Sequence, residues 1–142
     1  MRLLGIDHGE RRIGLALSDP SGVVATPLAV HERRQRRKQD LVDLERIARE
    51  HDCVAFVIGI PLDGDGQAGK KAREVQQFAQ ALREASGMEV YEIDERFTTV
   101  RAHDALSTMG VPQARRRDLV DKVAAAILLQ DWLDSRARGD AA

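Results

Sequence analysis

The chain opens with the apolar stretch Leu3-Leu4-Gly5-Ile6-Asp7, which is followed by His8 and the turn residue Gly9. A short apolar run that is closed by a turn residue predicts a buried β-strand. Residues 12–18 then alternate between apolar and other side chains, which predicts a second strand that pairs with the first as a hairpin. A third run with β-branched residues, at positions 23–30, follows a turn at 19–22. Three adjacent antiparallel strands are therefore expected to begin the fold.

The rest of the chain alternates between helical and extended patterns. Apolar residues at helical spacing predict helices, and continuous apolar runs predict buried strands. In chain order we expect a helix at residues 40–50, a strand at 53–58, a Gly-rich loop at 59–69, a helix through 75–82, a strand at 88–93, and helices at 99–109 and 119–133. This order predicts an α/β fold in which helices cover a mixed sheet.

Length and composition favour a single globular domain. A chain of 142 residues, of which 43% are hydrophobic and 32% charged, can bury one compact core. The sequence contains no internal repeat and no linker. We therefore expect one domain over residues 1–136, followed by a frayed tail at 137–142.

Several classes of protein are disfavoured by the same composition. No apolar run approaches the length of a membrane span, and the charge of Asp7 would interrupt a signal peptide, so a cytoplasmic protein without membrane contact is expected. Cys53 is the only cysteine and cannot form an internal disulfide. The net charge of −1 gives no sign of a strongly basic domain, so any surface for nucleic acid must arise from the distribution of charge.

Acidic residues stand at the edges of three apolar elements. Asp7 ends the first predicted strand, Asp94 and Glu95 end the last one, and Asp121 begins the last helix. Side-chain alternation sends Asp94 and Glu95 to opposite faces of the sheet, so only one of them can share a site with Asp7. Unpaired carboxylates in such positions would be costly. Each acid therefore needs a positively charged partner.

Two interpretations of these acids remain open. In the first, Asp121 complements the helix dipole, and Asp7 and Glu95 are strand-end caps or ion-pair partners of Arg12 and Arg96. In the second, the acids converge on a site for Mg²⁺ or Mn²⁺, which prefer oxygen ligands. Such a site could hold two ions about 4 Å apart and support in-line displacement at a phosphodiester. The convergence of three elements favours the metal site.

Four segments of the chain together resemble the YqgF/RuvX family. They are Gly5-Ile6-Asp7-His8-Gly9 with Arg12-Ile13-Gly14, then Gly59-Ile60-Pro61-Leu62, then Asp94-Glu95-Arg96 with Thr98-Thr99, and finally Asp121-Lys122-Val123-Ala124-Ala125. The resemblance spans most of the chain. It implies a ribonuclease H-like, three-layer α/β/α fold with five strands in the order 3-2-1-4-5.

The same resemblance implies a function and a set of ligands. It implies catalytic metal ligands at Asp7, Glu95 and Asp121, with Asp94 as an additional acid of the same motif. The family is associated with maturation of the 5′ end of pre-16S ribosomal RNA, and by analogy to RuvC it has also been called a Holliday-junction resolvase. A non-catalytic nucleic-acid-binding module in ribosome biogenesis is a further alternative. The likeness to RuvC also leaves a homodimer open.

Basic residues near the predicted site are candidates for binding substrate phosphates. The candidate nucleic-acid contacts are Arg11, Arg12, Lys70, Lys71, Arg96, Arg115, Arg116 and Arg117. The basic run at residues 33–38 is instead interpreted as an ordinary solvated loop before a helix. The Gly-rich loop at 59–69 matches dinucleotide and Walker A patterns only in part, so it is expected either to contact a phosphate of the nucleic acid or to be a flexible connection.

Overall fold

A computed structural model describes residues 1–63, 65–95 and 98–139 of the chain, and the secondary structure of these residues follows the predicted order. The strands are β1 (Arg2–His8), β2 (Arg12–Ser18), β3 (Ala25–Glu32), β4 (Cys53–Ile60) and β5 (Glu89–Asp94). The helices are α1 (Arg37–Glu50), α2 (Lys70–Ser86), α3 (Thr98–Thr108) and α4 (Val120–Ala137), and a 3₁₀ helix (Gln113–Asp118) precedes α4.

Several predicted boundaries differ from the structure, among them the start of α1 at Arg37, and three differences have identifiable local features. β3 begins two residues late because Asp19 Oδ1 accepts hydrogen bonds from the backbone N–H groups of Val23 and Val24, which keeps both residues in the turn. β4 continues to Ile60, which pairs with Asp94 of β5, so the Gly-rich segment begins later than expected. Arg115, Arg116 and Arg117 fall between the helices predicted at 99–109 and 119–133, and in the structure they lie in the 3₁₀ helix after Pro112.

The sheet is mixed and its strand order is β3-β2-β1-β4-β5, which confirms the expected order. β1 runs antiparallel to β2 and parallel to β4, while β2 pairs antiparallel with β3 and β4 pairs parallel with β5. The parallel connections through α1 and α2 are the two β-α-β units that the sequence predicts. β1 is therefore the central strand, with neighbours of opposite direction on its two sides.

Helices cover both faces of the sheet. Alternation along β1 sends Leu4 and Ile6 into a core shared with α1 and α2, and sends Leu3 into a second core shared with α4. α3 packs against α4. The approach of α4 to β1 is close, because a Cβ added at Gly5 would lie 2.9 Å from Leu129 Cβ. The result is the three-layer α/β/α arrangement.

Helices α1 and α2 begin at the same end of the sheet. β1, β3, β4 and β5 end there and β2 begins there, as the pairs His8↔Ile13, Arg12↔Glu32 and Ile60↔Asp94 show. The segments that enter α1 and α2 follow β3 and β4 directly, so those helices begin at the same end. Among the described helices, none has both the length and the apolar character needed to cross a membrane.

Candidate active site

A cavity of about 250 Å³ opens at this end of the sheet, beside the end of β1. Its walls come from four separate parts of the fold, namely the end of β1, the first turn of α2, the segment from β5 to α3, and the first turn of α4. The lining residues are Asp7, His8, Gly9, Lys71, Glu95, Thr98 and Asp121. The three acids that the resemblance implies as ligands thus share one cavity.

Asp7 and Glu95 are in direct contact within this cavity. Their side chains share a hydrogen bond, in which the protonated Glu95 carboxyl donates to Asp7. Burial raises the pKa of Asp7, and the charge of Asp121 raises it further. Burial and the charge of Asp7 raise the pKa of Glu95. Two carboxylates held this close cannot both be ionised without a cation between them.

Gly59 on β4 provides the space that the Glu95 side chain occupies. A Cβ added at Gly59 would lie 2.6 Å from Glu95 Oε2. The backbone N–H of Glu95 donates to the carbonyl of Ile60 at 3.1 Å, which holds the start of this segment against the end of β4. A side chain at position 59 would therefore displace the carboxylate from the cavity.

Asp121 reaches the cavity because α4 begins in direct contact with β2. A Cβ added at Gly14 would lie 2.0 Å from the carbonyl oxygen of Asp121, so the helix could not approach this closely over any other residue. Asp121 Oδ2 lies 3.2 Å from Arg12 Nε, but this buried oxygen accepts no hydrogen bond within the described part of the chain. Burial raises the pKa of Asp121, and the charge of Arg12 opposes that shift.

Asp94 and Glu95 differ in environment, as the alternation of β5 predicts. Tyr91 and Ile93 face the core that contains α4, so Glu95 continues their face, and it lines the cavity. Asp94 ends β5 in an exposed position. Its charge still contributes to raising the pKa of Glu95. Of the two adjacent acids, Glu95 is therefore the one in contact with Asp7.

His8 lines the cavity from the opposite face of β1. Its ring lies 4.5 Å from the Phe78 ring on α2, and its Nε2 is 3.2 Å from an Arg33 guanidinium nitrogen. Burial and the charge of Arg33 lower the pKa of His8 to about 4. The imidazole is therefore neutral at neutral pH, and its Nε2 can accept a hydrogen bond from Arg33.

The predicted basic contacts have different environments. Lys71 lines the cavity, Arg12 pairs with Asp121, and Arg96 lies outside the described residues. Arg116 is engaged within the fold, donating to the Val111 carbonyl and to Ser107 Oγ. The exposed candidates are Arg11, Lys70, Arg115 and Arg117. Lys71 and Arg12 are thus the candidates that reach the acids.

The donor set of the cavity suits a divalent cation, although it is not a complete ligand shell as it stands. Within residues 1–63, 65–95 and 98–139, no three His, Cys, Asp or Glu side chains are gathered closely enough to hold one metal ion. A cation could nevertheless replace the proton with which Glu95 donates to Asp7, and Asp121 Oδ2 is a buried acceptor to which no described residue donates a hydrogen bond. Hard oxygen donors of this kind match Mg²⁺ and Mn²⁺.

Thr98, Gly14 and Gly59 also shape the site, although no pattern in the sequence assigns them a role there. Thr98 is buried, lines the cavity, and donates its backbone N–H to the Glu95 carbonyl at 3.0 Å. All three belong to the segments that resemble the YqgF/RuvX family. A glycine inside a strand pattern is itself a sign of close backbone approach, and this sign is present at Gly14, whereas Gly59 lies just beyond the predicted strand at 53–58.

The chain is similar to a known protein family, to named relatives and to solved structures. The RuvX family, described as a Holliday junction resolvase, matches residues 1–135. Two relatives are each named "Putative pre-16S rRNA nuclease". The relative from Symbiobacterium thermophilum is 43% identical over 96% of this chain and 94% of its own length. The relative from Anaplasma marginale is 41% identical over 97% of this chain and 88% of its own length. RuvC of T. thermophilus in complex with a Holliday junction substrate has a TM-score of 0.64 at 15% identity, over 99% of this chain and 98% of RuvC. The ribonuclease H-like, RuvC-like fold is thereby confirmed.

Proposed function

The chain belongs to the RuvX family, and on this basis we propose that it is a metal-dependent nuclease that hydrolyses phosphodiester bonds during processing of the 5′ end of pre-16S rRNA. The observation that most supports this proposal is the convergence of Asp7, Glu95 and Asp121 on one cavity from three elements. The full-length likeness to relatives named for pre-16S rRNA supports the substrate. Processing of ribosomal RNA would place the protein in the cytoplasm.

Asp7, Glu95 and Asp121 are the residues that would hold the metal, with Asp94 as an additional acid at the strand end. The chemistry that one or two bound Mg²⁺ or Mn²⁺ ions supply is activation of water and stabilisation of charge on the phosphate. The acids Asp7, Glu95 and Asp121 give the cavity a negative electrostatic potential. Substrate phosphates therefore cannot enter it unless that charge is offset.

Basic side chains around the cavity would bind and orient the substrate. Lys71 lines the cavity and is close enough to lower the pKa values of Asp7 and Glu95 by its charge. Arg12 lies beside Asp121, and its side chain is 28% exposed. It can therefore also contact a phosphate of the substrate. We assign nucleic-acid binding to Arg11, Lys70, Arg96, Arg115, Arg116 and Arg117 as well. Phosphate contacts of this kind position a strand without reading its bases.

Cleavage of a labelled RNA fragment that contains the 5′ end of 16S rRNA tests the proposal. The fragment would be incubated with Mn²⁺, Mg²⁺ or EDTA, beside the Asp7→Asn variant. We expect cleavage only with metal and only by the unmodified protein. In parallel, Mn²⁺ at a hundred times its Kd should raise the free energy of unfolding of the unmodified protein by about 2.7 kcal/mol. Stabilisation without cleavage would support the metal site and reject the substrate.

A Holliday-junction resolvase is the second candidate, favoured by the description of the RuvX family. A four-way junction has strands related by symmetry, so its resolution would require two active sites and hence a homodimer. Cleavage of a labelled DNA junction, together with light scattering of the free protein, tests this candidate. A dimer that cuts the junction and leaves the RNA intact would replace the rRNA proposal.

A non-catalytic nucleic-acid-binding module is the third candidate. It would be supported if the protein bound RNA or DNA but cleaved neither with any metal. The placement of Asp7, Glu95 and Asp121 in one cavity opposes this candidate, because a group of acids without a bound cation disfavours the binding of a polyanion.

A further inference from the structure

The charges of this protein are unevenly distributed, although its net charge is only −1. Between β3 and the second residue of α1 lie Arg34, Arg36, Arg37 and Lys38, all of them exposed. We name these four residues the basic shoulder. We propose that the basic shoulder binds the phosphodiester backbone of the substrate strand just outside the catalytic cavity. This inference rests on the proposed nuclease function and extends it to a second contact surface.

The start of the shoulder is attached directly to the cavity wall by Arg33. The Arg33 guanidinium donates to the carbonyl of Gly9 at 3.2 Å and to His8 Nε2 at 3.2 Å, and both of these residues line the cavity. The backbone N–H of Arg33 also donates to the Arg11 carbonyl at 2.9 Å. The residue that precedes the shoulder is thus part of the structure that supports the site.

Asp40 ties the start of the shoulder to the first turn of α1. This carboxylate is fully buried, and its oxygens accept from Arg33 Nε at 3.0 Å, from the backbone N–H of Arg34 at 2.9 Å and from His31 Nε2 at 2.9 Å. An acid in the first turn of α1 therefore ties both the backbone and a side chain of the preceding segment. The four side chains of the shoulder are exposed, as the sequence suggests, but Arg37 and Lys38 belong to α1 and the start of the segment is tied to Asp40.

The positive charges of Arg36, Arg37 and Lys38 are unfavourable at the start of α1. Arg36 is the N-cap residue of α1, and Arg37 and Lys38 are its first two residues. The N-terminus of a helix carries partial positive charge, so cations there are unfavourable. Within the described part of the chain, none of these three side chains forms an ion pair, whereas Arg34 is 3.2 Å from Asp43. Their placement has no benefit for folding that the structure reveals, but it suits a bound polyanion.

The shoulder is close enough to the cavity for one strand to contact both. Arg36 lies three positions after Arg33, so their Cα atoms are at most about 11 Å apart even in an extended chain. Phosphates of one strand of duplex DNA recur about every 3.4 Å along the axis. A strand whose scissile phosphate lies in the cavity would therefore present phosphates to the shoulder within a few nucleotides.

Two double variants on the same helix test the inference. Arg37→Gln/Lys38→Gln removes two exposed positive charges at the shoulder end of α1, and Arg46→Gln/Arg49→Gln removes two exposed charges at its far end. Both would be made in the Asp7→Asn background, so that the probe is not cleaved. Binding of fluorescein-labelled RNA containing the 5′ end of 16S rRNA, and of a four-way DNA junction, would be followed by anisotropy over a range of KCl concentrations.

We expect the shoulder variant to bind RNA on the order of tenfold more weakly at 0.1 M salt, and its slope of log K against log salt to fall by about 1.4. The far-end variant should match the parent in both quantities. The Tm of the shoulder variant should be unchanged or higher, because the removed charges oppose the helix dipole. Loss of binding with an unchanged or raised Tm distinguishes a contact surface from a structural role.

Other outcomes separate this inference from the proposed function. If the parent binds RNA and both double variants bind it equally well, the shoulder is rejected while the nuclease proposal stands. If the parent binds neither RNA nor DNA, both proposals fall together. A loss confined to the DNA junction would support the shoulder as a phosphodiester-binding surface and assign it to DNA instead of RNA.

Discussion

The Arg12 guanidinium forms an ion pair with Asp121, at 3.2 Å between Nε and Oδ2, although the two residues stand at opposite ends of the sequence. Arg12 begins β2 and Asp121 lies in the first turn of α4. The contact brings a cation into the group of acids that we propose as metal ligands. Arg12 therefore competes with a metal ion for Asp121 and is also available to contact substrate phosphate.

Arg12→Gln should separate these two effects. Removing the cation should tighten binding of Mn²⁺, because the charge next to Asp121 no longer repels the metal. It should weaken RNA binding by about tenfold, equivalent to about 1.4 kcal/mol, because a phosphate contact is lost. Calorimetric titration with Mn²⁺ and anisotropy with RNA check the two directions independently. Weaker binding of both ligands would show that Arg12 instead maintains the shape of the site.

Gly14→Ala should destabilise the fold as well as the site. The new Cβ would lie 2.0 Å from the Asp121 carbonyl oxygen, which belongs to the helix backbone and cannot move alone. We expect a loss of about 1–3 kcal/mol in the free energy of unfolding. Gly69→Ala is a suitable control, because a Cβ there would meet nothing within 4 Å and its φ is −86°. Chemical denaturation that gives equal stabilities for the two variants would contradict the close approach at Gly14.

Gly59→Ala should damage the site while largely sparing the fold. The added Cβ would meet Glu95 Oε2 and Cδ, which can rotate away, and also Glu95 Cβ at 2.9 Å, which can move only with a small shift of the backbone after β5. Displacing this carboxylate by about 1 Å is expected to reduce kcat about a hundredfold. The Tm should change by only a few degrees, and RNA binding should persist because the cations remain. Full activity in this variant would exclude Glu95, in its present position, as a ligand needed for cleavage.

Asp40→Asn should reduce stability in a manner that depends on pH. Burial raises the pKa of Asp40, but hydrogen bonds from Arg34, His31 and Arg33, together with the Arg33 charge, outweigh burial and hold that pKa below its usual value. A carboxyl with a lowered pKa stabilises the folded state above the unfolded pKa of about 3.9 and loses this effect as pH falls through the folded pKa.

At pH 7 the Asp40→Asn variant should therefore be less stable by about 3 kcal/mol, since one partner of a buried ion pair is removed. The difference in the free energy of unfolding should shrink below about pH 4, because the unfolded chain then takes up a proton at Asp40 that the folded protein still excludes. Urea denaturation from pH 3 to pH 8 measures this difference. A gap that stays constant over the whole range would mean that Asp40 contributes shape rather than charge.

Local features of the fold and the identity of the acids were accessible from sequence. Periodicity predicts each strand and each α-helix, though not the 3₁₀ helix, because it depends only on which side chains face a core, and the predicted bounds of β2 match the structure to the residue. Asp7, Glu95 and Asp121 stood out because a charge at the edge of an apolar run is costly alone. The alternation of β5 also separated Asp94 from Glu95 before their environments were known.

Tertiary structure alone decided which residues are partners. Arg12 was considered as a partner for Asp7 or Glu95, yet it pairs with Asp121, because Gly14 lets the start of α4 contact β2. The basic run before α1 resembled a solvated loop, yet Arg33 and the buried Asp40 fix it beside the cavity. Such contacts depend on strand order and on the space left by single glycines. Neither property is encoded in a local pattern, so the acids could be identified from the sequence whereas their partners required the assembled fold.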